Sequence, residues 1–193
     1  MALKIRKIYS PNFDIKPRKK SLIKYLVFHY TGMKSEKSAI KRLCKIQSEV
    51  STNYFIKRNG EILIMVPDLH TAWHAGISQW GEKKFLNKYS IGIEISNPGH
   101  RFGYVNFSPK QIESTVKLAK KLIKKYNIKK NHILGHSDIS PDRKKDPGEK
   151  FPWKILYKKN IGVWHKINSG ELKQLRNKIT SVKDKNLFMK KLK

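Results

Sequence analysis

The sequence predicts a single α/β (α+β) domain in which helices flank a central mixed β-sheet. Two observations lead to this class. Short apolar segments of strand character are interleaved with segments of helical period, and the order strand, helix, hairpin, strand, helix, strand is that of a mixed sheet with helices packed on it. At 193 residues and 38% hydrophobic content, the chain is long enough for one well-buried core and short for two full domains.

Residues 1–20 are basic and carry Pro11 and Pro17, which predicts an extended arm leading into a domain of residues 21–168. Tyr25-Leu26-Val27-Phe28-His29-Tyr30 is apolar on both alternating faces, the pattern of a strand covered on each side, and Thr31-Gly32 ends it. His29 therefore lies at the strand's edge. Ala39, Ile40, Leu43, Cys44 and Ile46 fall near helical spacing and predict a short amphipathic helix over Ser38 to Gln47. Tyr54-Phe55-Ile56, Asn59-Gly60 and Ile62 to Val66 then read as a hairpin, because Asn-Gly suits the tight turn between antiparallel strands.

Residues 68–89 mix His70, Trp73, His74, Gly76, Trp80 and Gly81 without a period, which predicts a structured loop or broken helix of the kind that forms pocket walls. Tyr89 to Ser96 is a further strand, with Ile91, Ile93 and Ile95 on one face and Gly92 and Glu94 on the other. Ser108-Pro109-Lys110-Gln111 supplies a capping serine, a first-turn proline and a capping-box glutamine, and apolar residues follow at helical spacing as far as Tyr126. Ile133 to His136 reads as a short strand entering a loop over Ser137 to Gly148, and Leu172, Leu175, Ile179, Val182 and Leu192 predict a basic C-terminal helix over residues 169–193.

Lys and Arg number 43 against 14 Asp and Glu, a formal charge of +29 that draws the chain towards polyanions such as nucleic acid, anionic cell wall or a membrane surface. The excess is mostly lysine, accompanied by many Ile and Asn as an AT-biased genome imposes, so charge names no partner. With no recognised nucleic-acid motif, no specific nucleic-acid partner is expected. Cys44 is the only cysteine, which excludes an internal disulfide and Cys-rich zinc patterns; any metal must use His and carboxylates. Lys4, Arg6 and Lys7 are followed by Tyr9-Ser10-Pro11-Asn12 rather than by the apolar run of an export signal, and no stretch approaches the roughly 20 apolar residues of a membrane span. The expectation is a soluble cytoplasmic protein.

His29 and His136 each stand at or just beyond the end of a predicted buried strand, where a sheet can aim two imidazoles at one point. Either one alone equally fits an ordinary structural role. The loop after His136 is stiffened by Pro141 and Pro147 and can bring Asp146 back beside it, giving a His, His, Asp set with a fourth position for water, as catalytic zinc uses. Glu94 lies inside an apolar strand, where an uncompensated carboxylate is costly, although an edge strand with one wet face would also accept it. In a metal site it could carry a proton from attacking water to the departing group. Lys144, two residues before Asp146, could stabilise an oxyanion, though in isolation it is one lysine among many.

These residues resemble the type 2 N-acetylmuramoyl-L-alanine amidases, a superfamily that includes AmpD-type and AmiD-type enzymes and the peptidoglycan recognition proteins. The matching segments are Ser10 to Asp14, His29 to Met33, Ala72-Trp73-His74-Ala75-Gly76, Ser90 to Ile95, and Gly135-His136 through Asp146-Pro147-Gly148. The resemblance implies Zn2+ held by His29, His136 and Asp146, with Glu94 as catalytic acid/base and Lys144 steadying the transition state. It implies a metal site in a groove over the sheet, with Trp73 and His74 along the groove as substrate-binding residues. The implied reaction is hydrolysis of the amide between N-acetylmuramic acid and L-alanine in peptidoglycan or in (anhydro)muropeptides. Asn53 stands where amidases often carry His, so no catalytic role is assigned to it. Asn97 to His100, Phe151 to Trp153 and Ile161 to Trp164 are closer to the AmiD-type branch, which acts in the cell envelope, whereas the missing export signal favours the cytoplasm.

Overall fold

The computed structural model describes residues 4–165 together with 167, 168, 170, 171 and 174, so the helix predicted over 169–193 lies almost wholly outside the described residues. The elements in order are β1 (Ile5–Lys7), β2 (Phe13–Asp14), β3 (Tyr25–Tyr30), α1 (Glu36–Cys44), β4 (Tyr54–Ile56), β5 (Ile62–Ile64), β6 (Thr71–Ala72), β7 (Gln79–Trp80), β8 (Lys83–Lys84), β9 (Ser90–Ile95), α2 (Pro109–Tyr126), β10 (Ile133–Gly135), α3 (His136–Ile139) and α4 (Trp153–Lys158). The predicted class holds: six strands form a mixed sheet in the order β1-β5-β4-β9-β3-β10, parallel throughout except for the β4–β5 hairpin.

β3 and β9 are the longest strands and pair in parallel over their full length, from Tyr25 opposite Ser90 to Tyr30 opposite Ile95. Their even apolar character follows from cover on both faces. On one face Leu26, Phe28, Ile91, Ile93 and Ile95 pack with Leu118, Ala119, Leu122 and Tyr126 of α2, and with Phe151 and Leu156 near and within α4. α2 starts where the sequence places it. Ser108 Oγ accepts from the Gln111 amide at 3.1 Å, and Gln111 returns its side-chain oxygen to the Ser108 amide at 3.0 Å.

The opposite face is covered in two pieces. Tyr25, Val27 and Leu134 pack with Ala75, Leu86 and Ile139, while Phe55, Leu63 and Met65 pack with Ala39 and Leu43 of α1. Near the carboxyl ends of β3 and β9 this face carries His29 and Glu94 instead of apolar side chains, and these two residues are direct register partners. Ligand sites on open sheets favour such strand ends.

Several expectations are refined. α1 begins at Glu36 rather than Ser38, because Ser35 is the cap and accepts from the Ser38 amide at 3.1 Å. The segment read as an arm is built into the body: β1 pairs with β5, β2 pairs with β6, and buried Arg18 donates to the carbonyls of Asp68, Asn87 and Ser90. Residues 68–89 are a loop, as expected, carrying three two-residue strands. Instead of entering the loop directly, the chain after β10 makes one helical turn that opens on His136.

Candidate active site

His29 ends the buried run of β3, His136 opens α3 directly after β10, and β10 pairs with β3, so the sheet itself brings the two imidazoles together. The returning loop completes the set. His29 Nδ1 lies 2.9 Å from His136 Nδ1, and Asp146 Oδ2 lies 3.0 Å from each. All three residues are buried. In a tetrahedral site with zinc bonds of about 2.0–2.1 Å, neighbouring donor atoms stand about 3.3 Å apart. A triangle of 2.9–3.0 Å is slightly contracted from that and encloses the place of one small cation.

The proton positions point the same way. His136 Nε2 lies 3.1 Å from the Ala75 carbonyl oxygen, which can only accept, so in the neutral ring the proton is on Nε2 and Nδ1 turns its lone pair to Asp146. A lone pair facing a carboxylate at 3.0 Å is unfavourable unless a cation or proton lies between them. Burial lowers the His29 pKa to about 4, reinforced by the charge of His136, so His29 is a neutral donor near pH 7. Two imidazole nitrogens and one carboxylate oxygen, all from buried residues, fit a divalent metal ion.

Glu94 stands beside His29 with its Oε2 buried and without a hydrogen-bond partner among the described residues. Burial first, and the charge of Asp146 second, push its pKa up to about 8, while Lys144 works in the opposite direction. An unpartnered buried oxygen facing a groove is a group held ready for a ligand rather than for the fold. The groove, about 500 Å³, is lined by Tyr30, Trp73, His100, Glu94 and two of the three donor residues, His136 and Asp146, with Arg42, Arg101, Arg143, Lys144 and Lys145 adding positive charge.

The residues expected along the groove divide. Trp73 is half-buried at its wall, with its indole nitrogen donating to Asp14 at 2.8 Å. His74 also borders the groove, but it is buried and both ring nitrogens are engaged inward, with His29 at 3.0 Å and Ser90 at 3.1 Å. Asn53 is a structural clip: it accepts from the Gly92 amide and donates to the Val66 carbonyl. Reading the sequence did not single out Ser90, Arg42 or Arg143. Arg42 lies within a segment of ordinary helix pattern, and Ser90 and Arg143 lie within matched segments but carry no chemical signal of their own.

A family model described as N-acetylmuramoyl-L-alanine amidase matches residues 18–149. The chain is 40% identical over 154 residues to N-acetylmuramoyl-L-alanine amidase AmiD of Escherichia coli, covering 74% of this chain and 55% of AmiD. It is 35% identical over 166 residues to 1,6-anhydro-N-acetylmuramyl-L-alanine amidase AmpD of Haemophilus influenzae, covering 77% of this chain and 88% of AmpD. The chain thus spans about half the length of AmiD and most of AmpD. Among solved structures, E. coli AmiD in complex with the substrate anhydro-N-acetylmuramic acid-L-Ala-D-gamma-Glu-L-Lys superposes with a TM-score of 0.68 at 34% identity, covering 84% of this chain and 72% of that one. A family match over most of the folded body, together with relatives of this identity, shows that the chain belongs to the N-acetylmuramoyl-L-alanine amidase family.

Proposed function

We propose that this protein is a zinc-dependent amidase that cleaves the bond between N-acetylmuramic acid and L-alanine in peptidoglycan fragments. The observation that carries the reading is the buried triangle of His29, His136 and Asp146 with the unpartnered oxygen of Glu94 beside it. His29 and His136 would hold the ion through Nδ1 and Asp146 through a carboxylate oxygen. Zinc in such a site activates water and polarises a carbonyl.

The protein's own groups supply the rest. Glu94, whose carboxyl is pushed up to about 8 by burial in the metal-free chain, would as the carboxylate take a proton from the attacking water and deliver it to the amine of the departing L-alanine. Lys144 lines the same groove and offers its ammonium to the developing oxyanion. The cationic rim suits a substrate that carries carboxylates along its peptide. AmiD is described with an anhydromuramyl peptide as its substrate and AmpD is named for the 1,6-anhydro sugar, and that substrate class is the one we assign here.

The test is to incubate the zinc-loaded protein with an anhydromuramyl tripeptide and with intact sacculi, with and without chelator, and to identify products by mass. Release of free peptide beginning with L-alanine, abolished by chelator, is the expected result. Intact substrate in both digests would overturn the reading.

A further inference from the structure

Behind the three donor atoms runs a chain of polar contacts that the hydrolytic reading does not use. His29 Nε2 meets His74 Nδ1 at 3.0 Å, His74 Nε2 meets Ser90 Oγ at 3.1 Å, and Ser90 Oγ lies 2.6 Å from the Leu86 carbonyl oxygen. His29, His74 and Ser90 are all buried, so water does not compete for these groups.

The last contact fixes the direction of the others. A carbonyl oxygen only accepts, so two oxygens 2.6 Å apart require the Ser90 hydroxyl proton between them. With its one proton used, Ser90 accepts from His74, and the His74 proton is therefore on Nε2. The neutral His74 ring then has a bare Nδ1, to which His29 must donate its Nε2–H. What remains on His29 is the Nδ1 lone pair, on the atom that faces His136 and Asp146.

From this, resting on the reading of His29 as a metal ligand, we infer that His74 and Ser90 are positioning residues that hold His29 in the one tautomer that can bind an ion through Nδ1. Metal-bound histidines commonly give their second ring proton to a carboxylate, a carbonyl or water. His136 does so, to the carbonyl of Ala75. For His29 the acceptor is another imidazole, which needs a partner of its own to settle its proton, and Ser90 is that partner.

The local sequence is arranged around this task. Residues 74 and 75 serve both candidate ligands, one through its side chain and the other through its carbonyl. Their backbone amides both donate to Asn87 Oδ1, at 3.1 and 2.7 Å, and Arg18 ties the carbonyls of Asn87 and Ser90 together. Gly92 gives the ring room: a Cβ there would stand 2.5 Å from His74 Cγ. The space that Gly92 leaves on the Glu94 face of β9 is thus occupied by His74.

The test uses the full chain, with and without zinc, and the variants His74→Leu, His74→Asn and Ser90→Ala. Imidazole nitrogen shifts from NMR read the tautomers directly, and chelator competition reads zinc affinity. In the wild type, His29 and His74 are both expected to carry their protons on Nε2. His74→Leu should weaken zinc roughly 10- to 100-fold without abolishing cooperative unfolding of the metal-free chain. Ser90→Ala should weaken it less, and His74→Asn, which puts an amide oxygen near the place of Nδ1, should recover much of the loss. A proton on Nδ1 of His74 in the wild type, or unchanged zinc affinity in both His74→Leu and Ser90→Ala, would overturn the inference. If His74→Leu does not fold, the wild-type shifts and Ser90→Ala decide. A wild type that binds no zinc but shows the expected tautomers would instead refute the reading of the triangle as a metal site.

Discussion

Glu94 shows most directly how one residue ties stability to chemistry. Its carboxyl is held up to about 8 from an ordinary 4.5, chiefly by burial, so across that interval the folded metal-free chain binds a proton that the unfolded chain has released. Folding stability from this group therefore falls as pH rises between the two values. Glu94→Gln removes the dependence, so chemical unfolding of the metal-free proteins should show the variant gaining on the wild type from pH 4.5 towards 8. A constant difference across that range would contradict the burial. Gly92→Ala should cost about 1–3 kcal/mol by overpacking against His74 and should also weaken zinc, measured by denaturant unfolding and chelator competition. His29, His136 and Glu94 could be nominated from the sequence because each interrupts or follows an apolar run in a way a core does not need, and Asp146 and Lys144 because the loop stiffened by Pro141 and Pro147 can return them beside His136. The inward engagement of His74 could not, since its partners Ser90 and Leu86 lie in the next strand and turn and carry no chemical signal of their own.

At the scale of elements, the clearest structure in the sequence is that with local chemical cause. The Asn59-Gly60 turn gives the β4–β5 hairpin, and the Ser108 capping box gives the start of α2. β1 and α4 carry no such local signal, being short and fixed by long-range partners: β1 exists because Ile5 to Lys7 pair with β5, and α4 because Leu156 fills the core under α2. A buried polar staple fixes α2 from its far end. Asp68, in the loop after β5, accepts from the hydroxyls of Tyr54 and Tyr126, each at 2.6 Å, and from Lys125 at 2.7 Å. Burial opposes ionisation of Asp68, but these three donors outweigh it and hold the carboxyl below its usual range. Asp68→Ala leaves two buried hydroxyls unpaired and should lower stability by roughly 2–4 kcal/mol in urea unfolding. Zinc affinity should be unchanged, because the staple sits on the face of the sheet opposite His29. A loss under about 0.5 kcal/mol would show that the staple is not formed.

Across the whole molecule, the +29 charge becomes interpretable only where the fold concentrates it. Five cationic side chains line the groove that also holds Glu94 and Asp146, so the anionic peptide of the proposed substrate would be attracted at the site itself. Raising ionic strength from about 0.01 to 0.15 M shortens the screening length from ~30 to ~8 Å. KM for an anhydromuramyl peptide should then rise several-fold with little change in kcat; an unchanged KM would remove the rim from substrate attraction. Among the described residues no helix is long and apolar enough to cross a membrane. The most direct test of the central claim is a paired measurement on wild type and Glu94→Gln: zinc per chain by elemental analysis, and amide cleavage by product mass. We expect about one zinc in both proteins and a loss of roughly 10²- to 10⁴-fold in cleavage for the variant, the range for removal of a general acid/base. Cleavage by Glu94→Gln at the wild-type rate, or a wild type that cleaves with no metal bound, would contradict the claim.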